Sequence, residues 1–383
     1  MHLAVLTTGR QDWGILRPLC EALRDDGGFS VDVLAGGMAC SAAFGRVVDA
    51  VRATGFHVAA EMDWAPESSD ALRQTSEAVA LVGAALGRRR PEALVVLGDR
   101  YETAGAALAA TVLGIPVVHL YGGEETEGAI DNALRHAITK LSHLHLVAHP
   151  VYAERVLQMG EAPSTVHVVG SLGADNLLKL DLPTREELER VVGIPLGKPL
   201  GLVTVHPTTL ARSDVQDEVK AVLGAIRAFP ATWVITLPNA DPGHEAIREA
   251  LQAVAQGAPN VAAVSALGEE RYLGLMRQAD FVLGNSSSGI TEAPSLRVPT
   301  INVGDRQKGR VRSPSVLDVG CDTREILEAI RKALSPEWRA EIARQPLPFG
   351  AGDAAERIVD VLKRWVPPRP PRKVFASLGR GAG

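Results

Sequence analysis

Residues 93–102 read Ala93-Leu-Val-Val-Leu97-Gly98-Asp99-Arg100-Tyr101-Glu102. Five apolar residues without polar alternation need cover on both faces, the signature of a strand inside a parallel sheet. The run stops at a glycine followed at once by charge. An Ala-rich helical pattern then extends from Tyr101 to Leu113. A buried strand, a sharp turn carrying Asp99 and Arg100, and a covering helix make one β/α unit.

The same unit repeats outward in both directions. Upstream lie strand patterns at His2–Leu6 and Val31–Ala35, with helices at Ile15–Arg24 and Ala71–Arg88. Downstream lie Val117–Leu120, Leu144–Val147 and Val166–Val169. The alternation breaks at Asn176–Lys198, a polar stretch containing Pro183 and Pro195, and restarts with Leu200–Val205, Thr232–Thr236, Val261–Val264, Phe281–Leu283 and Thr300–Val303. Two successive β/α sets predict an α/β protein of two Rossmann-like domains facing a central cleft: residues 1–175 and residues 176–365. The last helix, Ala354–Trp365, is expected in the second domain with Asp353 as its N-cap. Residues 366–383, rich in Pro, Arg and Gly, read as a loosely held tail.

The chain's 383 residues exceed one ordinary core, and 46% hydrophobic with 22% charged residues suits a globular protein. A net charge of −5 with no basic stripe disfavours nucleic acid as the main partner. Cys20, Cys40 and Cys321 are far apart, which argues against a disulfide framework or a thiolate metal site and fits a reducing compartment. The first apolar run is too short for a signal peptide, and none reaches membrane length. A soluble, cytoplasmic protein with no metal and no membrane partner is expected.

Polar clusters follow the predicted strands, where ligands of open parallel sheets sit. After the first strand comes Thr7-Thr8-Gly9-Arg10-Gln11-Asp12, which is either a plain turn or a helix N-terminus receptive to an anion. Asp99 and Arg100 form either a structural ion pair or a proton-handling carboxylate beside a phosphate ligand. Between Gly122 and His136, Glu124, Glu125, Glu127 and Asp131 place four carboxylates within eight residues, among three glycines. Such crowding produces repulsion that folding does not need, and it can split carboxyls into acid and base roles. A solvated acidic loop is the plain alternative. In the second half, His206 ends a strand and Asn239 follows the next one. Gly284-Asn285-Ser286-Ser287-Ser288-Gly289 then opens a helix with Glu292 behind it, a suitable diphosphate cradle or a serine-rich cap. Residues 304–312 add Arg306, Lys308, Arg310 and Arg312. His143, His145 and His149 suggest metal ligands superficially, but nothing nearby in sequence completes a set, so a structural role is expected. No Walker loop, GxGxxG fingerprint or serine-hydrolase elbow occurs.

These segments resemble the UDP-N-acetylglucosamine 2-epimerase family, especially its hydrolysing branch. They are TTGRQDWG (7–14), GDRYE (98–102), GGEETEGAIDNALRHAITKLSHLHL (122–146), HPTT (206–209), NADPG (239–243), GNSSSGITEAPS (284–295), NVGDRQKGR (302–310) and PFGAGDAAERIV (348–359). The resemblance implies a glycosyltransferase-B-like architecture, with a UDP-sugar or related nucleotide held mainly by the second domain and the sugar facing the first. By that resemblance, Ser286, Ser287 and Glu292 would hold diphosphate and ribose, and Arg10, His206 and Arg306 would line the phosphate region. Asp99, Glu124 and Asp131 would move protons. It also implies a homodimer and a reaction without nicotinamide, in which UDP is eliminated and water adds to give N-acetylmannosamine or a related sugar. The chain departs from the pattern at Tyr121, where non-hydrolysing relatives carry Glu, and at Asp131-Asn132, where many carry two acids. A relative repurposed as a hydrolase or transferase on another nucleotide-sugar, nucleoside or sugar phosphate is the alternative.

Overall fold

A computed structural model describes the chain except residues 43–45, 65–69, 126–129, 207–214, 238–243, 265–266 and 378–383, and the side chains of 10, 11, 215, 244–246 and 269. Asn239, Pro207–Thr209 and Glu127 therefore lie outside the described residues, as does the side chain of Arg10.

Among the described residues, the strand around Ala93–Leu97 is the fourth of seven in its sheet: β1 (His2–Thr7), β2 (Ser30–Gly36), β3 (His57–Met62), β4 (Ala93–Leu97), β5 (Val117–Leu120), β6 (Leu144–Val147) and β7 (Val166–Val168). All pair in parallel, in the order β3-β2-β1-β4-β5-β6-β7. The helices of this half are α1 (Arg10–Asp26), α2 (Val47–Ala53), α3 (Ala71–Arg89), α4 (Tyr101–Val112), α5 (Asp131–Leu141), α6 (Pro150–Gln158) and α7 (Leu172–Lys179). Side-chain parity along the strands divides two cores. Leu3, Val5, Val33 and Val95 pack on Leu16, Leu19 and Leu23 of α1. Ala4, Leu6, Leu34, Leu94 and Val96 pack on Ala78, Val82 and Ala106 of α3 and α4.

The second sheet is formed by β8 (Leu200–Thr204), β9 (Thr232–Thr236), β10 (Val261–Val264), β11 (Phe281–Gly284), β12 (Thr300–Val303) and β13 (Val316–Val319). It is also parallel, in the order β10-β9-β8-β11-β12-β13. Its helices are α8 (Arg185–Val192), α9 (Val215–Ala228), α10 (His244–Gln256), α11 (Glu269–Gln278), α12 (Ser288–Ser295), α13 (Thr323–Leu334) and α14 (Pro336–Arg344), and the chain closes with α15 (Ala354–Arg364). Val203, Trp233, Ile235 and Phe281 face Val222 and Ile326, while Leu202, Val234 and Val282 face Leu188 and Met276. Among the described residues, no helix is long and apolar enough to cross a membrane.

The chain divides into one unit of Met1–Asn176 with the residues from Gly350 on, and another of Leu177–Phe349. This corrects the expected 176–365 boundary, because α15 belongs to the first unit. Ile358 and Leu362 join the core of α1, and Lys363 pairs with Asp26. Asp353 does not cap α15 with its side chain, which pairs with Arg357 instead. The Asp175 carboxylate of α7 accepts the Ala355 amide at 3.0 Å and supplies the missing acceptor.

The tail is likewise not loose across residues 366–377. Arg369 approaches Glu92 at 3.5 Å, Lys373 donates to Thr139 O at 3.0 Å, and the Ala376 amide donates to Gly160 O at 2.9 Å. Gly160, at φ +82°, admits the Phe375 ring to a space where a Cβ would stand 2.3 Å from it.

Candidate functional site

Each sheet reverses its strand order once, between β1 and β4 in the first and between β8 and β11 in the second. Within each sheet, taken by itself, the loops leaving the carboxyl ends of its two reversal strands flank a crevice, the place where open α/β sheets accept ligands. They carry Thr8–Asp12 and Gly98–Arg100 in the first unit, and Val205–His206 and Asn285–Ser287 in the second.

In the first unit, Asp12 fixes the β1 loop by accepting the Thr8 amide at 2.9 Å and the Thr8 hydroxyl at 2.6 Å. Asp99 and Arg100 do not pair with each other. Arg100 donates to both oxygens of buried Glu102, at 2.7 and 3.1 Å, so much of its guanidinium is committed within its own turn. Asp99 instead pairs with Arg135 of α5, whose side chain is only 5% exposed. The other terminal nitrogen of Arg135 donates to Glu124 O at 2.7 Å and Asn132 Oδ1 at 3.0 Å. One buried guanidinium thereby gathers the loops bearing Asp99 and Glu124 onto the helix that begins with Asp131. Burial pushes the Asp131 carboxyl up and Asp99 adds to the rise, against the lowering pull of Arg135 and Arg100. Asp99, Asp131 and the main chain of Glu124 are thus brought to one place.

The remaining loop residues separate by role. Glu125 is taken by Arg155 at 3.1 Å. Tyr121, in the left-handed region at φ +67°, turns its hydroxyl to Ser171 at 3.0 Å and accepts the Gly173 amide at 3.1 Å. Burial pushes that phenol up to about 12. Tyr121 therefore braces the start of α7, a task unlike that of a carboxylate. His119, which heads the acidic segment in the sequence but was given no role there, is fully buried, and burial lowers it to about 3. As a neutral ring it donates from Nε2 to Gly98 O at 2.8 Å and accepts the Thr139 hydroxyl at Nδ1, 3.2 Å away. Its place one residue before the apolar strand's end was the only signal.

The three histidines around β6 have structural partners. His143 Nδ1 accepts the Val117 amide, and His149 Nδ1 accepts the Val151 amide at the start of α6. His145 meets a carboxylate that its sequence neighbours did not reveal, Glu161 at 2.9 Å.

In the second unit the organiser is Asn285, 1% exposed. Its side chain accepts the His206 amide at 2.8 Å and donates to His206 O at 3.0 Å and Glu218 at 2.9 Å. Its carbonyl accepts Arg306 at 3.0 Å and buried Gln307 at 2.9 Å. His206, Arg306 and the Ser286–Ser287 turn are thereby fixed around one buried amide. Gly284, at φ +137°, lets β11 approach β8, since a Cβ there would lie 2.0 Å from Thr204 O. Ser286 and Ser288 share a hydrogen bond at 2.9 Å, and Ser288 meets the Tyr272 phenol at 2.5 Å. Ser287 is the N-cap residue of α12, and Glu292 one turn on accepts the Thr291 hydroxyl. Hydroxyls, a helix N-terminus and an arginine held on the same turn suit a phosphorylated ribose.

Two parallel, doubly wound units in one chain, each with chemistry at its strand-order reversal, define the glycosyltransferase-B-like class of α/β proteins. Residues 21–363 match the family model described as UDP-N-acetylglucosamine 2-epimerase, and the chain belongs to that family. Similar proteins include the polysialic acid biosynthesis protein P7 of Escherichia coli, 34% identical over 94% of this chain and 93% of its own. The GDP/UDP-N,N'-diacetylbacillosamine 2-epimerase (hydrolyzing) of Campylobacter jejuni is 34% identical over 88% of each chain. The crystal structure of UDP-GlcNAc 2-epimerase from Neisseria meningitidis bound to UDP-GlcNAc superposes with a TM-score of 0.76 at 21% identity, covering 95% of this chain and 100% of that one.

Proposed function

We propose that this chain is a hydrolysing UDP-sugar 2-epimerase acting on a 2-acetamido sugar, with UDP-N-acetylglucosamine as the first candidate. The observation that carries the reading is the gathering of Asp99, Asp131 and the main chain of Glu124 around Arg135, with the two aspartates in unlike surroundings. Asp99 faces a buried guanidinium, whereas the Asp131 carboxyl is pushed toward its protonated form by burial and by Asp99. Unlike environments assign unlike proton roles. A base takes the proton from sugar carbon 2, the C1–O bond breaks, and UDP departs with the electron pair to leave a glycal. Water then adds across the double bond with inversion at carbon 2, releasing a free mannose-type 2-acetamido sugar.

In this reading the first unit handles the sugar. The second receives the nucleotide through Ser286, Ser287, Glu292, His206 and Arg306, with Arg10, Arg100 and Asn239 as further ligands. The hydrolysing relative named for N,N'-diacetylbacillosamine supports a second substrate, a 2,4-diacetamido sugar on the same nucleotide.

Proton NMR in deuterium oxide tests both sugars. Free UDP together with a released mannose-type sugar deuterated at carbon 2 is expected for the true substrate, and Asp99→Asn and Glu124→Gln should lower its turnover at least a hundredfold. A folded protein that neither exchanges nor releases either sugar would move the assignment to another nucleotide-linked substrate.

A further inference from the structure

Lys373 lies in the C-terminal strap, far along the chain from every residue assigned above, yet its side chain is only 23% exposed. It donates to Thr139 O at 3.0 Å and to Glu161 Oε2 at 2.6 Å. Thr139 sits in the last turn of α5, where its carbonyl accepts the Ser142 amide at 3.1 Å and the Lys373 cation adds a second bond at the negative end of the helix dipole. The neighbouring Lys140 donates to Glu161 Oε1 at 2.7 Å and Met159 O at 2.9 Å. The strap itself is seated by Phe375 against Gly160, with Lys140 5.1 Å from the centre of its ring.

The opposite end of α5 carries Asp131, Asn132 and Arg135. Eight residues at about 1.5 Å each put the gripped turn roughly 12 Å from the reacting carboxyls along a rigid helix. A second line runs through the same turn: the Thr139 hydroxyl bonds His119, and His119 bonds Gly98 O, the residue before Asp99. Both attachments of Asp99, through Arg135 and through Gly98, therefore lead back to the helix turn that the strap holds.

We propose that Lys373 is a positioning residue for the reaction, and that the strap it belongs to sets α5 and thereby the placement of Asp99 and Asp131. The inference rests on the functional reading above for its kinetic consequence, but its structural consequence stands apart. A displacement near 1 Å at reacting groups costs up to about a hundredfold in rate, so partial loosening is expected to cost about tenfold.

Lys373→Met is to be compared with the unaltered protein by amide hydrogen exchange over residues 130–137 and by steady-state kinetics. The expected result is exchange at least about tenfold faster in that segment, with kcat lowered about tenfold, KM within about twofold and UDP affinity unchanged. Lys373→Arg, which keeps the cation, should restore most of kcat. The inference is overturned if Lys373→Met leaves exchange and kcat unaltered, or if kcat, KM and UDP affinity all deteriorate together without rescue by arginine. Should Lys373→Met fail to fold, Phe375→Ala loosens the strap while leaving every charged group of the cluster in the chain, and must show the same faster exchange, or the inference fails. If the unaltered protein turns over no UDP-sugar, the functional reading falls alone and the exchange comparison still decides this one.

Discussion

Asn285 and His206 are joined by two reciprocal hydrogen bonds, the His206 amide to Asn285 Oδ1 at 2.8 Å and Asn285 Nδ2 to His206 O at 3.0 Å. This pairing extends the contact of β8 and β11 one step beyond the last ladder bonds, with a side chain standing in for a strand. It holds the main chain of His206, on both its amide and its carbonyl, at the end of β8.

Asn285→Ala removes three side-chain hydrogen bonds and leaves an amide, a carbonyl and the Glu218 carboxylate short of partners. The cost should be about 2–4 kcal/mol of unfolding free energy, with UDP affinity down at least tenfold. Asn285→Asp should be worse at pH 7, because it sets a carboxylate against Glu218 and loses both donors. Denaturant unfolding and calorimetric UDP titration check this; an aspartate variant as stable as the alanine one would contradict the hub role.

The contrast between Asn285 and the serines shows what sequence reading can reach. The strands around Ala93–Leu97 and Phe281–Leu283 were legible because burial on both faces leaves nothing but apolar residues. The edge strands β3 and β13 were not: His57–Met62 and Val316–Val319 are half-exposed, so their composition carries no apolar run. Ser286, Ser287, Asp99 and Asp131 stood out as polar groups at strand ends. Asn285 stood among them unremarked, since only the fold shows that its amide turns inward. Of the two alternatives open for Asp99 and Arg100, the ion pair between them falls for a related reason. Adjacent residues at a strand end point apart, and the true partners are Arg135, 36 positions away, and Glu102. The seat of α15 depends on Asp175, 180 positions before Ala355, which no local pattern could announce.

Tyr121 marks the departure from the non-hydrolysing pattern noted in the sequence, and burial holds its phenol at about 12. Below that pH it is neutral, a hydrogen-bonding strut and no base. Tyr121→Phe should therefore keep kcat within about threefold while losing about 1–2 kcal/mol of stability from the Ser171 and Gly173 bonds. Because the folded pKa is raised, the ionisation-linked part of this stabilisation is fully present below the ordinary tyrosine value of 10.0 and is lost as pH rises through about 12. Thermal unfolding from pH 6 to 10 should show a constant gap between the two proteins. A hundredfold fall in kcat in the folded variant would instead place the hydroxyl on the substrate.

Glu161 is 3% exposed and accepts hydrogen bonds from His145, Lys140 and Lys373. Burial alone would raise its carboxyl, but these three partners outweigh it and hold the group at about 2, against an ordinary 4.5. A depressed carboxylate stabilises the fold fully above its unfolded pKa and loses that contribution as pH falls through the folded one. The window here is pH 4.5 down to about 2. Glu161→Gln leaves two lysines without their buried counter-charge, so at pH 7 it should be less stable by about 3 kcal/mol. The difference should shrink steadily below pH 4.5, since protonating Glu161 in the unaltered protein reproduces what the glutamine does at every pH. Urea unfolding at pH 7, 5, 4 and 3 measures this. A stability gap that stays constant across the series would mean that the carboxylate's charge is not what holds α5, β6 and the strap together.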